Sequence, residues 1–200
     1  EVPFEVIERH GDVELRRYGA FVTADVRVGG DPGSAGSRAF RTLVSSINGR
    51  NAHSSSLAMT SPVRQSSEKL AMTAPVLQEE VSGTQVVSFV LPGWRPIAEY
   101  PQPLDDQVRL RVVPGHDAAA IRWSGRWKYD SVVDHTEKLL RFMGSMDWSP
   151  GGEPVWARYD PPWKPGFLRR NEVLIPLASS SPSTAETAGT EGAPDAGGSE

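Results

Sequence analysis

Residues 4–28 read FEVIERHGDVELRRYGAFVTADVRV. The first fifteen form two β-type runs separated by His10-Gly11-Asp12, and Gly11-Asp12 fits a tight hairpin turn. Residues 21–28 alternate large apolar with small or polar side chains, as a half-buried strand does. The Gly/Asp/Pro stretch at 29–33 ends that run, and Ser34 or Ser37 is placed to cap a helix after it. From Ala35 onward, Ala39, Phe40, Leu43, Val44 and Ile47 fall on one helical face. Asn48-Gly49 then marks the end of the helix.

The second half of the chain repeats this plan. Residues 108–112 and 118–123 read as strands. Asp130 or Ser131 opens a helix whose Val132, Val133, Thr136, Leu139, Leu140 and Met143 share a face, with Gly144 as its expected C-terminal cap. Short strands come next at 154–159 and 172–177. The order favours an α+β fold, an antiparallel sheet or open barrel carrying two amphipathic helices.

The chain has 200 residues and a net charge of −4, and the location of that charge matters more than its size. Residues 178–200 hold Glu186, Glu191, Asp195 and Glu200, no basic residue and no large apolar one. Such a segment cannot offset its own ordering entropy, so it is expected to be a disordered acidic Ser/Gly/Ala/Pro-rich tail behind a domain at 1–177. Without those acids the body is balanced in charge. It has no basic stripe, and nucleic acid is not an expected partner. There is no cysteine, which removes disulfides, thiolate metal sites and thiol nucleophiles together. No stretch approaches the roughly 20 apolar residues of a membrane span, and no leader pattern is visible, so a cytoplasmic location is the expectation.

One phrase is written twice: LAMTSPV at 57–63 and LAMTAPV at 70–76. If 57–63 and 69–76 are antiparallel strands with Val63 near Leu70, Met59, Met72 and the bulky aliphatics share one face. A one-residue slip would scatter them. Pro62 and Pro75 place such a hairpin at a bend or an edge. The methionines then serve as adaptable core filler, as a polarizable wall for a flat aromatic ligand, or as thioether ligands to iron.

Other chemistries find little support. The four histidines, at 10, 53, 116 and 135, lack metal-ligand spacing. The Gly-rich 29–37 stretch lacks dinucleotide or P-loop spacing and reads as a turn and helix start. Glu79-Glu80 and Asp105-Asp106 point to opposite faces of an extended chain. No catalytic motif appears, and the chain is not expected to be an enzyme.

The doubled MTxPV, INGRN at 47–51, RRYG at 16–19, SFVLP at 88–92, WSG at 123–125, YDPPWKP at 159–165 and RRNEV at 169–173 occur in an order that resembles the SOUL/haem-binding protein family. The resemblance runs from about Phe4 to Pro176. It implies a distorted antiparallel β-barrel flanked by two helices, with an internal pseudo-twofold repeat. It also implies non-covalent binding of haem or another tetrapyrrole in an exposed apolar groove beside the first helix, for sequestration or transport. On that reading Phe40, Leu43, Val44 and Ile47 supply the slot and Met59 and Met72 a neighbouring wall. Arg38 and Lys164, the latter in the PPxK stretch, meet the carboxylates, and His53 is the axial candidate for iron. One branch of the family carries a His where this chain has Arg17, and a basic helix position falls on Ser45. Those departures motivate the alternative, a small-molecule or protein-binding module of the same barrel type that has lost haem binding.

Overall fold

The computed structural model describes residues 2–47, 51–52, 75–160 and 163–178. The first hairpin forms where the Gly-Asp turn places it. Strand β1 (Phe4–His10) pairs antiparallel with β2 (Val13–Tyr18), and Gly11 takes a φ of 65° that favours glycine. Strand β3 (Phe21–Val28) comes next and leads into helix α1 (Pro32–Ile47). The helix starts earlier than its serines suggest. The Asp31 carboxylate accepts the Ser34 N–H at 2.9 Å, so Asp31 is the cap and Pro32 opens the first turn. The Ser34 side chain, and then this N–H, hold the Asp31 carboxyl below its ordinary range.

After a two-residue strand β4 (Asn51–Ala52), β5 (Val76–Val81) and β6 (Thr84–Val90) form a hairpin. Its turn is Ser82-Gly83, both at positive φ, as a two-residue hairpin loop requires. Strands β7 (Gln102–Pro103), β8 (Val108–Val113) and β9 (His116–Ser124) lead to helix α2 (Tyr129–Ser145), and β10 (Val155–Arg158) and β11 (Arg170–Pro176) complete the set. Gly144 lies inside the last turn of α2 and does not cap it. The left-handed position falls on Asp147, φ 57°, and the Trp148 N–H returns to the Met143 carbonyl at 2.9 Å. The repeated hairpin at 57–63 and 69–76 lies outside the described residues except for Pro75 and Val76. Val76 opens β5, which pairs with β6 and β10.

Nine strands form one sheet in the order β1-β2-β9-β11-β10-β5-β6-β3-β8, every pair antiparallel, curled into a half-barrel. When β2, β3, β5 and β6 are exchanged for β8, β9, β10 and β11, the eight strands after β1 give the same order read from the opposite edge. This correspondence is one of order and pairing.

Period-two alternation assigns each side chain to one of two faces. Both helices pack on the convex face. Ala35, Ala39 and Leu43 of α1 bury against Val22, Val26, Val87 and Phe89, and Val132, Leu139 and Met143 of α2 bury against Ile121, Val173 and Trp156. The concave face carries its own apolar set, including Ala118, Ala120, Ala157 and Leu174. No helix among the described residues is long and apolar enough to cross a membrane.

Candidate functional site

Two rows of α1 set its outward geometry. Residues four apart stack on one face of a helix. Ala35, Ala39 and Leu43 are fully buried in the core, whereas the adjacent row Gly36, Phe40, Val44 flanks it. Phe40 is 40% exposed and meets buried Phe89 edge-on at 5.6 Å between ring centres. Val44 packs partly against the same cluster. Ile47 closes the helix, and its side chain lies outside the described residues. The expected slot therefore divides: Phe40 and Val44 present surface, and Leu43 supports the helix from beneath.

A cation stands at the Gly36 end of this row. Arg158 is the last residue of β10, on the convex face, and its guanidinium reaches α1 because Gly36 has no side chain. A Cβ there would come within 2.8 Å of Arg158 Nη1. The guanidinium lies on the Trp127 ring, 3.7 Å from its centre. It makes one hydrogen bond, Nη2 to Gln78 Oε1 at 2.9 Å. The Gln78 amide is held in that orientation because its Nε2 donates to the Pro32 carbonyl at 2.8 Å and to Gln85 Oε1 at 2.9 Å. Gln85 in turn donates to Glu80 at 2.8 Å, so Glu80 reaches Arg158 only through two neutral amides.

A guanidinium offers five N–H donors. Among the described residues Arg158 finds one acceptor and no carboxylate. Burial without a counter-charge pulls its pKa down to about 10. The indole Nε1 of Trp127 is also buried with no acceptor among the described residues. A half-buried cation and an orphaned indole donor thus stand together at the end of the α1 row, a set suited to a carboxylate.

The other expected cations are occupied. Arg38 donates to the Gly29 carbonyl at 2.6 Å and to Ser34 Oγ, closing the loop before α1. Lys164 pairs with Asp160 at 2.6 Å; burial pushes that carboxyl up, but the hydrogen bonds from Lys164 and the Arg170 N–H, with the charges of both residues, outweigh it and hold it below its ordinary range. Around Lys164 the loop after β10 exposes Trp163 (81%), Phe167 (76%) and Leu168. Arg126, next to Trp127 in sequence, lies directly over Gly166 of this loop. Arg17 is an exposed side chain of β2, doubly hydrogen-bonded to Asp117 at 2.9 and 3.0 Å.

His53, Met59 and Met72 lie outside the described residues. The other histidines are engaged elsewhere. His10 contacts Phe142 and Trp148, His116 stacks on Tyr18, and His135 stacks on Trp123 at 4.1 Å. Among the described residues no three His, Asp or Glu side chains converge into a metal site.

Behind the site, on the concave face, Glu172 ties four elements together. It is fully buried and accepts from Arg16 at 2.7 Å, Arg122 at 2.8 Å and the Tyr159 hydroxyl at 2.8 Å. Burial pushes the Glu172 carboxyl up, but the hydrogen bonds and the Arg16 charge outweigh it and hold it below its ordinary range. Burial and the neighbouring Glu172 charge together push the Tyr159 hydroxyl well up. Tyr159 adjoins Arg158 in sequence, so this network fixes the end of β10 from the opposite face.

An antiparallel half-barrel with two helices on its convex side is a fold shared with solved structures. The C-terminal domain of EcmrR is similar with a TM-score of 0.61 and 11% identity over 82% of this chain and 96% of that one. An uncharacterized conserved protein from Listeria innocua gives 0.55 and 12% over 83% and 92%. A hydrolase from the same organism gives 0.51 and 11% over 86% and 94%. At such identities the likeness is one of fold alone. No curated protein matches the chain. The model of the SOUL heme-binding protein family matches residues 1–176, and the chain belongs to that family.

Proposed function

We propose that this protein binds haem or a related tetrapyrrole reversibly and non-covalently, for sequestration or transport. The macrocycle lies along the Gly36–Phe40–Val44 row of α1, and Arg158 takes a carboxylate. The observation that carries this reading is Arg158 itself, a half-buried guanidinium with neutral partners only, beside an orphaned indole donor. A flat ligand bearing carboxylates supplies both missing elements, an apolar face for Phe40 and an anion for Arg158. The bound group would bring its own iron chemistry, and the chain's described residues would hold and orient it. Membership of a family described as heme-binding supports the same ligand class.

Titration of the purified chain with ferric haem and with iron-free protoporphyrin, followed by absorbance and by quenching of tryptophan fluorescence, tests this. The expected result is saturable one-to-one binding of both, because the anchor recognises carboxylates and not iron. Saturation by haem alone would move the site to a ligated iron and to His53, Met59 or Met72. Saturation by neither would leave the chain as a module of this fold with a different ligand.

A further inference from the structure

The loop that joins β10 to β11 is held by polar contacts and turns its apolar side chains outward. Lys164 and the Arg170 N–H both bond to the Asp160 carboxylate, at 2.6 and 2.5 Å, and Arg169 Nε donates to the Lys164 carbonyl at 2.7 Å. A 3-10 turn at Gly166–Leu168 closes the loop, with the Leu168 N–H on the Pro165 carbonyl at 3.0 Å. Arg126 lies so close over Gly166 that a Cβ there would fall 2.4 Å from its Cγ.

Trp163, Phe167 and Leu168 take no part in this scaffolding. None belongs to the three apolar clusters of the fold, and each is more than half exposed. A single exposed Leu is ordinary. Two aromatic rings and a Leu within 163–168 make a patch, with roughly 200–400 Å² from the rings alone.

The ground around the patch is basic. Arg170 of β11 stands opposite Ser124 of β9, and Gly125 bonds to both Arg169 and Asn171. These contacts join residues 122–130 to residues 158–172. The two stretches hold seven bases and three acids, a surplus of four in a chain whose net charge is −4. Of the acids, Asp160 is bound to Lys164, Glu172 is buried between Arg16 and Arg122, and Asp130 stands exposed in the first turn of α2. Of the bases, Arg126 and Lys128 are exposed and have no ion pair among the described residues.

Trp and Phe beside Lys and Arg suit one kind of surface. Aromatic rings settle at the boundary between lipid headgroups and acyl chains, and cations next to them meet anionic headgroups. A bilayer closes around a protruding ring of any shape, whereas a folded partner needs a matching pocket. We infer that the 163–168 loop docks this protein reversibly on an anionic lipid surface. Trp163, Phe167 and Leu168 enter the headgroup boundary, and Arg126 and Lys128 meet the anionic headgroups. The inference stands apart from tetrapyrrole binding, because the outward row of α1 takes no part in it.

Co-sedimentation of the full chain with vesicles tests it, using phosphatidylcholine alone and phosphatidylcholine with about 30% phosphatidylserine. The anionic vesicles are expected to bind about tenfold or more tighter than the neutral ones. The acids of 178–200 are present throughout, so their competition for the bases is part of the measured affinity. Raising salt from about 0.1 to 1 M shortens the screening length from about 10 to 3 Å and should remove most of the difference. Trp163→Ser with Phe167→Ser should weaken anionic binding about tenfold or more. Both side chains are exposed, so the urea midpoint and protoporphyrin affinity of that variant should match wild type. Arg126→Gln with Lys128→Gln should weaken binding about twentyfold, from roughly fivefold per base. Brominated acyl chains should quench wild-type tryptophan fluorescence, and Trp163→Phe should still bind while losing most of that quenching. Equal binding to both vesicles, binding to neither, or quenching unchanged in Trp163→Phe would each overturn the inference. So would anionic binding that survives loss of both rings, which would make the patch a site for an acidic protein or nucleic acid.

Discussion

Glu172→Ala is expected to destabilise the fold by about 3–5 kcal/mol, enough to remove much of the stability of a domain this size. The substitution takes from Arg16, whose side chain is 1% exposed, the buried one of its two acids and leaves it only Glu14, at 2.8 Å from its Nε. It also deprives the Tyr159 hydroxyl of its acceptor. Glu172→Gln keeps the shape and an acceptor for Tyr159 while losing the charge, so its cost is expected nearer 1.5–3 kcal/mol, roughly that of charge-assisted hydrogen bonds. Urea denaturation at pH 7 separates the two. The pH dependence supplies a further check. The Glu172 carboxyl is lowered from 4.5 in the fold, so its contribution is fully present above the unfolded value and is lost as pH falls through the folded one. The stability gap between wild type and Glu172→Gln should therefore shrink as the solution is acidified below about pH 4.5.

Arg158→Met is expected to move stability and affinity in opposite directions. With the ligand absent, Arg158 is a cation taken largely out of water with no counter-charge, and replacing such a charge with an apolar side chain is neutral or stabilising. Part of the guanidinium reaches solvent, so we expect no loss and a gain of at most about 1 kcal/mol in urea melts. The penalty holds throughout the neutral range. A base whose folded pKa is depressed to about 10 burdens the fold below that pH and ceases to do so only as pH rises towards the unfolded value. Protoporphyrin affinity should fall about ten- to a hundredfold, since a hydrogen-bonded carboxylate loses its cation. A residue retained for packing would show the reverse, lower stability with affinity unchanged.

Much of the scaffold is legible in the sequence because it rests on local signals. The alternation of 21–28, the Gly11-Asp12 turn and the apolar faces of both helices come from side-chain period and turn chemistry alone. The β5–β6 hairpin escapes such a reading, although Ser82-Gly83 is a recognisable turn dipeptide. The repeated MTxPV phrase is the louder signal, and it draws the expected hairpin to the segment just before β5. Helix ends differ for a similar reason, since Asp31 and Asp147 hold the terminal positions for which Ser34 and Gly144 are the conventional choices.

The site is harder to read because its defining property is the absence of a partner. Arg158, between Ala157 and Tyr159, looks in sequence like the solvated end of a short strand. Its character comes from Gly36, Gln78 and Trp127, which three other parts of the chain deliver to it. Arg38 and Lys164 lie near apolar stretches in sequence, yet each has a local acceptor that no spacing rule exposes. The concave face holds a cavity that is hidden for a like reason. Ala118 reads as part of an ordinary strand, and only eight strands curled together bring its small side chain to the wall of a cavity.

The central claim is that a carboxylate of the ligand is held at Arg158. Its most direct test compares protoporphyrin with its dimethyl ester, in which the macrocycle is unchanged and both carboxylates are masked, on wild type and on Arg158→Met. The account predicts that wild type binds the free acid about tenfold or more tighter than the ester and that Arg158→Met binds the two alike. Equal binding of acid and ester by wild type, or a preference for the acid that survives in Arg158→Met, would contradict it.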